Sequence, residues 1–166
     1  MKKLYVVGNK VSKSLSPTIF NYWFKKYNIK ASYGYLELTE KNFHKKIKEV
    51  LEKKDTLGLN VTIPFKNKII KHLGKIDAHA KKIGAVNCVT NKKTINGTNT
   101  DWTGYYKTLP NIKKTKNRKV IILGYGGASH AIHYVLKKRG FKDILIFNRS
   151  KKKIKYSKNT EYTKKI

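Results

Sequence analysis

The chain has 166 residues, room for one domain or two small ones at ~100–200 residues per domain, and its 39% apolar content is low but enough for a core. Cys88 is the single cysteine, which excludes an internal disulfide and any cysteine cluster for zinc, and fits a reducing compartment. The formal net charge is +30, nearly all of it lysine.

Such charge attracts phosphates, so a nucleic-acid or membrane-surface binder is one reading. The other is solvated surface in a chain with a general bias toward Lys, Asn, Ile and Tyr. The lysines are spread along the whole sequence and interleaved with every apolar run. Arginine, the commoner reader of bases, occurs only at positions 118, 139 and 149. The second reading is preferred, with no specific nucleic acid and no membrane as partner. After "MKK" the run "LYVVG" is too short for a signal-peptide core, and nothing later approaches a membrane span. A soluble, cytoplasmic protein is expected.

"KLYVVG" (3–8) is apolar, β-branched and ends in Gly, which predicts a buried strand. "NKVSKSLS" is a polar loop. "PTIFNYWFKKYN" predicts a helix, with Ser16 placed to cap it and Pro17 suited to its first turn. "ASYGYLEL" (31–38) is a second strand. In "TEKNFHKKIKEVLEKK", Phe43, Ile47, Val50 and Leu51 recur at helical spacing, with Thr39 as a cap. "TLGLNVTI" (56–63) is a third strand, closed by Pro64. "FKNKIIKHL" and "DAHAKKIG" predict short helices. "AVNCVT" and "TINGTN" flank "NKK" as paired or successive strands. "DWTGYYKTLPNI" predicts a connecting helix that ends near Pro110.

Strands alternating with helices predict an α/β fold with a mostly parallel sheet and crossover helices. The basic joint "KKTKN" places a domain boundary around 113–118, dividing the chain into 1–112 and 113–166. A second unit then runs strand, Gly-rich turn, helix closed by Gly140, strand. The tail after residue 150 is mostly lysine, with almost no apolar content.

In "LGYGGASHA", Gly124 and Gly126 follow a strand and open a helix, the context that the dinucleotide fingerprint requires. Glycine permits the tight turn and a close approach of backbone to a pyrophosphate, and the helix start supplies free N–H groups. Ser129 stands at the third glycine position. The next strand runs into "NRSKKK". An NAD site would put an acid there, whereas Arg149 can fork onto a 2′-phosphate and Lys153 adds charge, so NADP is implied. Arg149 as one more surface cation is the alternative.

Polar residues collect at the strand ends of the first unit. Ser14 and Ser16 lie beside a helix start and suit a small carboxylate; capping explains Ser16 but not Ser14. Asn60 and Thr62 alternate with Val61 and Ile63, so they share a face. Lys66 follows that strand, Asn87 follows "IGAV", and Asp101 opens a helix, where an N-cap is the simpler reading. His130 and His133 share a helix face, but the further ligands of a zinc site are missing, so they are assigned to surface or packing and no metal is expected.

Together "SKSLSP", "GLNVTIPFK", "IGAVN", "GTNTDWTGY", "LGYGGASHA" and "NRS" resemble the shikimate dehydrogenase family, in that family's order and spacing over residues 8–150. The resemblance implies an N-terminal substrate-binding α/β domain followed by the first part of a Rossmann NADP-binding domain. It implies reversible NADPH-dependent reduction of 3-dehydroshikimate to shikimate, a step of aromatic amino-acid (chorismate) biosynthesis. On that resemblance Ser14 and Ser16 hold the substrate carboxylate, and Asn60, Thr62 and Asn87 line its ring and hydroxyls. Lys66 and Asp101 are the catalytic pair. Gly124, Gly126, Gly127 and Ala128 form the pyrophosphate loop. Asn148, Arg149 and Ser150 grip the adenosine 2′-phosphate, with Lys153 beside them.

Full-length members of the family carry further strands and helices and a substrate-contacting glutamine. The chain is therefore expected to be C-terminally truncated. A non-catalytic remnant acting as a basic binding module, or an NAD-using quinate/shikimate dehydrogenase, are the alternatives, and a homodimer is left open.

Overall fold

The computed structural model describes residues 1–109 and 118–148, and the backbone alone at 160–163. Two compact units make up the chain, Met1–Asn99 and Thr100–Ile166. The joint expected at 113–118 falls largely outside the described residues. The helix at 101–108, which the sequence assigned to the first unit, clusters with the second.

The first unit runs β1 (Lys2–Gly8), α1 (Ser16–Lys26), β2 (Ala31–Glu37), α2 (Phe43–Leu51) and β3 (Thr56–Val61). A 3₁₀ turn (Lys68–His72), β4 (Lys75–Ile76), α3 (Ala78–Ile83), β5 (Cys88–Asn91) and β6 (Ile95–Thr98) complete it. The strands form one sheet in the order β2-β1-β3-β5-β6-β4. β1 pairs in parallel with β2 and β3, and β4 with β6, whereas β3–β5 and β5–β6 are antiparallel. The expected α/β fold with a mostly parallel sheet is present, and "AVNCVT" and "TINGTN" turn out to contribute a hairpin.

Period-two alternation sends neighbouring residues of β1 to opposite faces. Val6 packs with Val11 and Tyr33, against Phe20 and Phe24 of α1. Val7 packs with Leu59 and Val61, against Phe43 and Ile47 of α2 and against Phe65. The sheet is therefore covered on both sides, which is why β1 and β3 read as nearly continuous apolar runs.

Two expected caps differ. Ser16 is the first residue of α1, with Leu15 before it and no side-chain cap bond. Thr39 acts one turn ahead of α2 proper, where its Oγ1 accepts from Asn42 N at 3.4 Å and Asn42 Oδ1 accepts from Thr39 N at 2.9 Å. That reciprocal exchange has the form of a capping box. Asp77 caps α3 by accepting from His79 N and Ala80 N at 2.8 and 3.0 Å.

The second unit holds α4 (Asp101–Thr108), β7 (Lys119–Leu123), α5 (Gly127–Lys138), β8 (Asp143–Phe147) and β9 (Thr160–Thr163). The strands are parallel in the order β7-β8-β9, one half of a doubly wound sheet. The basic tail thus carries a third strand that the sequence did not suggest. "TEYT" is too short and polar to stand out, and pairing along the edge of β8 supplies its hydrogen bonds. α4 ends at Thr108, short of Pro110, and Asp101 is its first residue rather than its cap, which is Thr100. Trp102 meets Tyr134 of α5 edge-on at 5.9 Å, and the Arg139 guanidinium stacks 3.8 Å over Tyr106. These contacts tie α4 to α5, the physical reason it belongs with the second unit. Among the described residues, α5 packs on the face of β7 that holds Ile122, while Ile121 and Leu123 remain exposed.

His133 is fully buried in α5, its Nδ1 2.8 Å from the Tyr125 hydroxyl, so packing rather than metal binding accounts for it. Burial, with Lys137 and His130 nearby, pushes its pKa down to about 4. Because that lies below the ordinary value of 6.5, the unfolded chain takes up this proton first as pH falls. The contribution to stability is complete above pH 6.5 and drains away toward 4; denaturant melts of the second unit across that window should show the loss, and the His133 ring resonances should stay neutral to about pH 4. In the first unit, Phe43 is fully buried and stacks on Phe65 with centroids 4.2 Å apart. Phe43→Ala should lower the unfolding free energy by about 3–5 kcal/mol, measurable in the same melts.

Candidate active site

The C-terminal ends of β1 and β3 and the loop after β1 meet at one end of the first sheet, among its inner strands. Gly8 makes the approach close: a Cβ there would lie 2.6 Å from both Thr62 Cγ2 and Val11 Cγ1. Thr62 N donates to Val7 O at 2.8 Å, and Val61 N to Asn87 O at 2.8 Å, so the polar residues past β3 are fixed through their backbone.

A cavity of about 450 Å³ opens here, lined by Ser14, Ser16, Asn60, Thr62, Lys66 and Asn87 together with Val6, Val11, Val61, Lys10 and Lys13. Every first-unit residue singled out from the sequence lines it. Lys10 and Lys13 were not singled out; a lysine-rich composition hides two more lysines, although their position just ahead of Ser14 could have marked them. None of the lining residues is acidic.

Lys66 owes its position to its neighbours. The Ile63–Pro64 peptide is cis. Phe65 is fully buried against Phe43, and its carbonyl accepts from Ile69 N at 2.9 Å. The Lys66 carbonyl accepts from Val86 N at 2.7 Å. One residue of the turn is thus held in the core while the next reaches the cavity. The far end of the turn meets α2, where His44 Nδ1 and His72 Nε2 lie 2.8 Å apart.

The serine loop is braced from β2. Glu37 Oε2 accepts from Val11 N at 2.9 Å and Ser12 N at 3.1 Å. Those two N–H donors, together with Lys10, hold the Glu37 carboxyl below the usual range. The Tyr35 hydroxyl donates to Ser14 O at 3.2 Å. Ser14 Oγ donates to Ser16 Oγ and accepts from Ser16 N, both at 3.2 Å. Two hydroxyls and a helix start are thereby gathered at one point, an arrangement suited to a carboxylate.

In the second unit the glycine turn has the expected form. Gly124 has φ +86°, and its N donates to Phe147 O at 2.7 Å. Among the described residues, and apart from the chain neighbours, no atom lies within 4 Å of a Cβ built at Gly124 or Gly126. α5 starts at Gly127 with Gly126 at its cap position, where no side chain can cap it, so the first turn of the helix, with Ala128, follows the glycines directly. The Ser129 hydroxyl, at the third fingerprint position, donates to Gly124 O at 2.7 Å and braces the turn from within. Asn148 does likewise, accepting from Tyr125 N at 2.9 Å. These residues fit the pyrophosphate of a dinucleotide. Arg149, Ser150 and Lys153 lie outside the described residues. Asp101 belongs to the second unit, at the start of α4. Among the described residues no three His, Cys, Asp or Glu gather as a metal set, and no helix is long and apolar enough to cross a membrane.

Comparison with known proteins gives consistent matches. The family model described as the shikimate dehydrogenase substrate binding domain matches residues 6–89. A shikimate dehydrogenase of Thermotoga petrophila is 37% identical over 148 residues, covering 89% of this chain and 55% of that protein. The crystal structure of shikimate dehydrogenase from Aquifex aeolicus superposes with a TM-score of 0.83 at 34% identity, covering 98% of this chain and 62% of that one. The Thermus thermophilus enzyme, solved in complex with NADP(H) and shikimate, gives a TM-score of 0.74 at 28% identity over 90% of this chain and 57% of that one. The chain therefore spans little more than half the length of the relatives it matches.

Glu37→Gln should weaken the brace under the serine loop. Amide hydrogen exchange at Val11 and Ser12 should speed up, while that at Tyr33, whose N–H is held by Asn21 Oδ1 at 2.8 Å, should not change.

Proposed function

The chain belongs to the shikimate dehydrogenase family through its substrate-binding domain, and from that premise we propose that its first unit binds shikimate and 3-dehydroshikimate and that the chain encodes the reversible NADPH-dependent interconversion of the two. The observation that carries the proposal is the convergence of Ser14, Ser16, Asn60, Thr62, Lys66 and Asn87 on one cavity. They come from three separate stretches of sequence, and together they offer what a hydroxylated ring acid requires.

Ser14 and Ser16 take the carboxylate. Asn60, Thr62 and Asn87 address ring oxygens. Lys66 stands where negative charge builds on oxygen as the ketone is reduced, and its ammonium both stabilises that charge and delivers the proton. Asp101, carried by the second unit, is its proposed carboxylate partner. When bound over the turn at Gly124, Gly126, Gly127 and Ala128, the dinucleotide supplies the hydride. Asn148, Arg149, Ser150 and Lys153 are assigned to its 2′-phosphate end, which gives the preference for NADP over NAD. The reading carries with it a place in aromatic amino-acid (chorismate) biosynthesis and a cytoplasmic setting, and it leaves a homodimer to be decided by sedimentation.

The test is calorimetric titration of the chain with shikimate, followed by NADPH oxidation on 3-dehydroshikimate. Shikimate should bind, and Lys66→Met should lower kcat by about 10²–10⁴ while altering KM much less. A chain that neither binds shikimate nor turns over, yet binds DNA tightly and salt-dependently, would favour the basic-module reading instead. A higher kcat/KM with NADH than with NADPH would contradict the role given to Arg149.

A further inference from the structure

Tyr33 lies behind the cavity rather than in its wall. It is 4% exposed and sits in β2, two strands away from Asn60 in the sheet order β2-β1-β3. Three contacts hold it there. Its ring stacks on Phe20 of α1 at 4.7 Å between centroids, with the planes 7° apart. The Asn21 side-chain amide grips its backbone at both ends, Nδ2 donating to Tyr33 O and Oδ1 accepting from Tyr33 N, each at 2.8 Å. Its hydroxyl donates to Asn60 Oδ1 at 2.6 Å.

We propose that Tyr33 is a positioning residue that fixes the orientation of the Asn60 amide, so that Asn60 meets the ligand through its nitrogen and acts there as a donor only. An asparagine amide is symmetric in shape but not in chemistry: one end accepts, the other donates. With Oδ1 engaged by the hydroxyl behind it, the NH₂ group is the end left for the cavity that Asn60 lines. The ligand atom opposite it is therefore an oxygen acting as acceptor, a hydroxyl or carbonyl oxygen of a polyhydroxylated ring acid. A ligand that places a bare donor there is rejected, because two donors would face each other. Burial pushes the Tyr33 phenol up to about 12, so the hydroxyl remains a proton donor across the working pH range. The Phe20 stack and the Asn21 grip make the orientation rigid, and they tie α1, which starts at Ser16, to β2, whose Tyr33 hydroxyl reaches Asn60 on β3. This inference rests on the shikimate-binding reading for the identity of the ligand, but not for the amide orientation itself.

The test is a double-mutant cycle on the full chain, titrated with shikimate: wild type, Tyr33→Phe, Asn60→Ala and the pair. Removing one oriented hydrogen bond should weaken binding by about fivefold to tenfold in Tyr33→Phe. Adding Tyr33→Phe to Asn60→Ala should cost less than about twofold more, because the hydroxyl then has no amide to orient. Costs that multiply would overturn the proposal and leave Tyr33 with a packing role only. If the wild-type chain does not bind shikimate, the functional reading fails separately. The inference is then decided by the Asn60 side-chain NH₂ resonances of labelled protein. They should shift on Tyr33→Phe far more than those of Asn21, and unchanged Asn60 resonances would sink it.

Discussion

The first unit depends on one aromatic anchor, the stacked pair Phe43 and Phe65. Phe65 is the last fully buried residue before the chain turns outward, and Lys66 is the next one along. A lysine side chain alone is long and loses much entropy when held. Here the backbone under it is already immobile, locked by Phe65 in the core and by the bond from Val86 N to Lys66 O. The side chain it carries lines the cavity. Preorganisation of this kind is how a protein turns one of its many lysines into a chemical group with an address.

The same economy applies to the rest of the pocket. Its polar atoms are presented by backbone that is bonded elsewhere: Thr62 to Val7, Asn87 to Val61, and the serine loop to Glu37. The scarce acids mostly have structural duties. Asp77 caps α3, Glu37 braces the loop, and Asp55 pairs with Lys3 at 2.9 Å. With 9 acidic residues against 39 basic ones, spending Glu37 on backbone N–H groups rather than on a lysine is informative. It shows that the loop's conformation, and not its charge balance, is what that carboxylate serves.

Much of this was legible in the sequence. The strand-helix alternation gave the sheet, because β1 and β3 are buried on both faces and read as apolar runs. The glycine turn was legible because its conformation demands glycine at Gly124. The caps were not: Ser16 and Asp101 look like N-caps in isolation, yet each is the first residue inside its helix. Residue type identifies a helix start to within a position, but tertiary context decides which residue takes the cap geometry. β9 was missed because a short polar strand gains its stability from its neighbour's edge, which no local pattern records. Tyr33 was missed for a related reason. It read as an ordinary aromatic strand residue, and its partner Asn60 is 27 positions away, brought near only by the parallel crossover.

The three ammonium groups around the pocket also act at a distance. Among the described residues, Lys10, Lys13 and Lys66 line one concave opening. A recess lined by cations focuses its field outward over roughly a Debye length, about 8 Å at physiological ionic strength. A small organic anion is then drawn toward the mouth before any contact forms, and capture speed becomes a property of the surrounding electrolyte as much as of the pocket's shape.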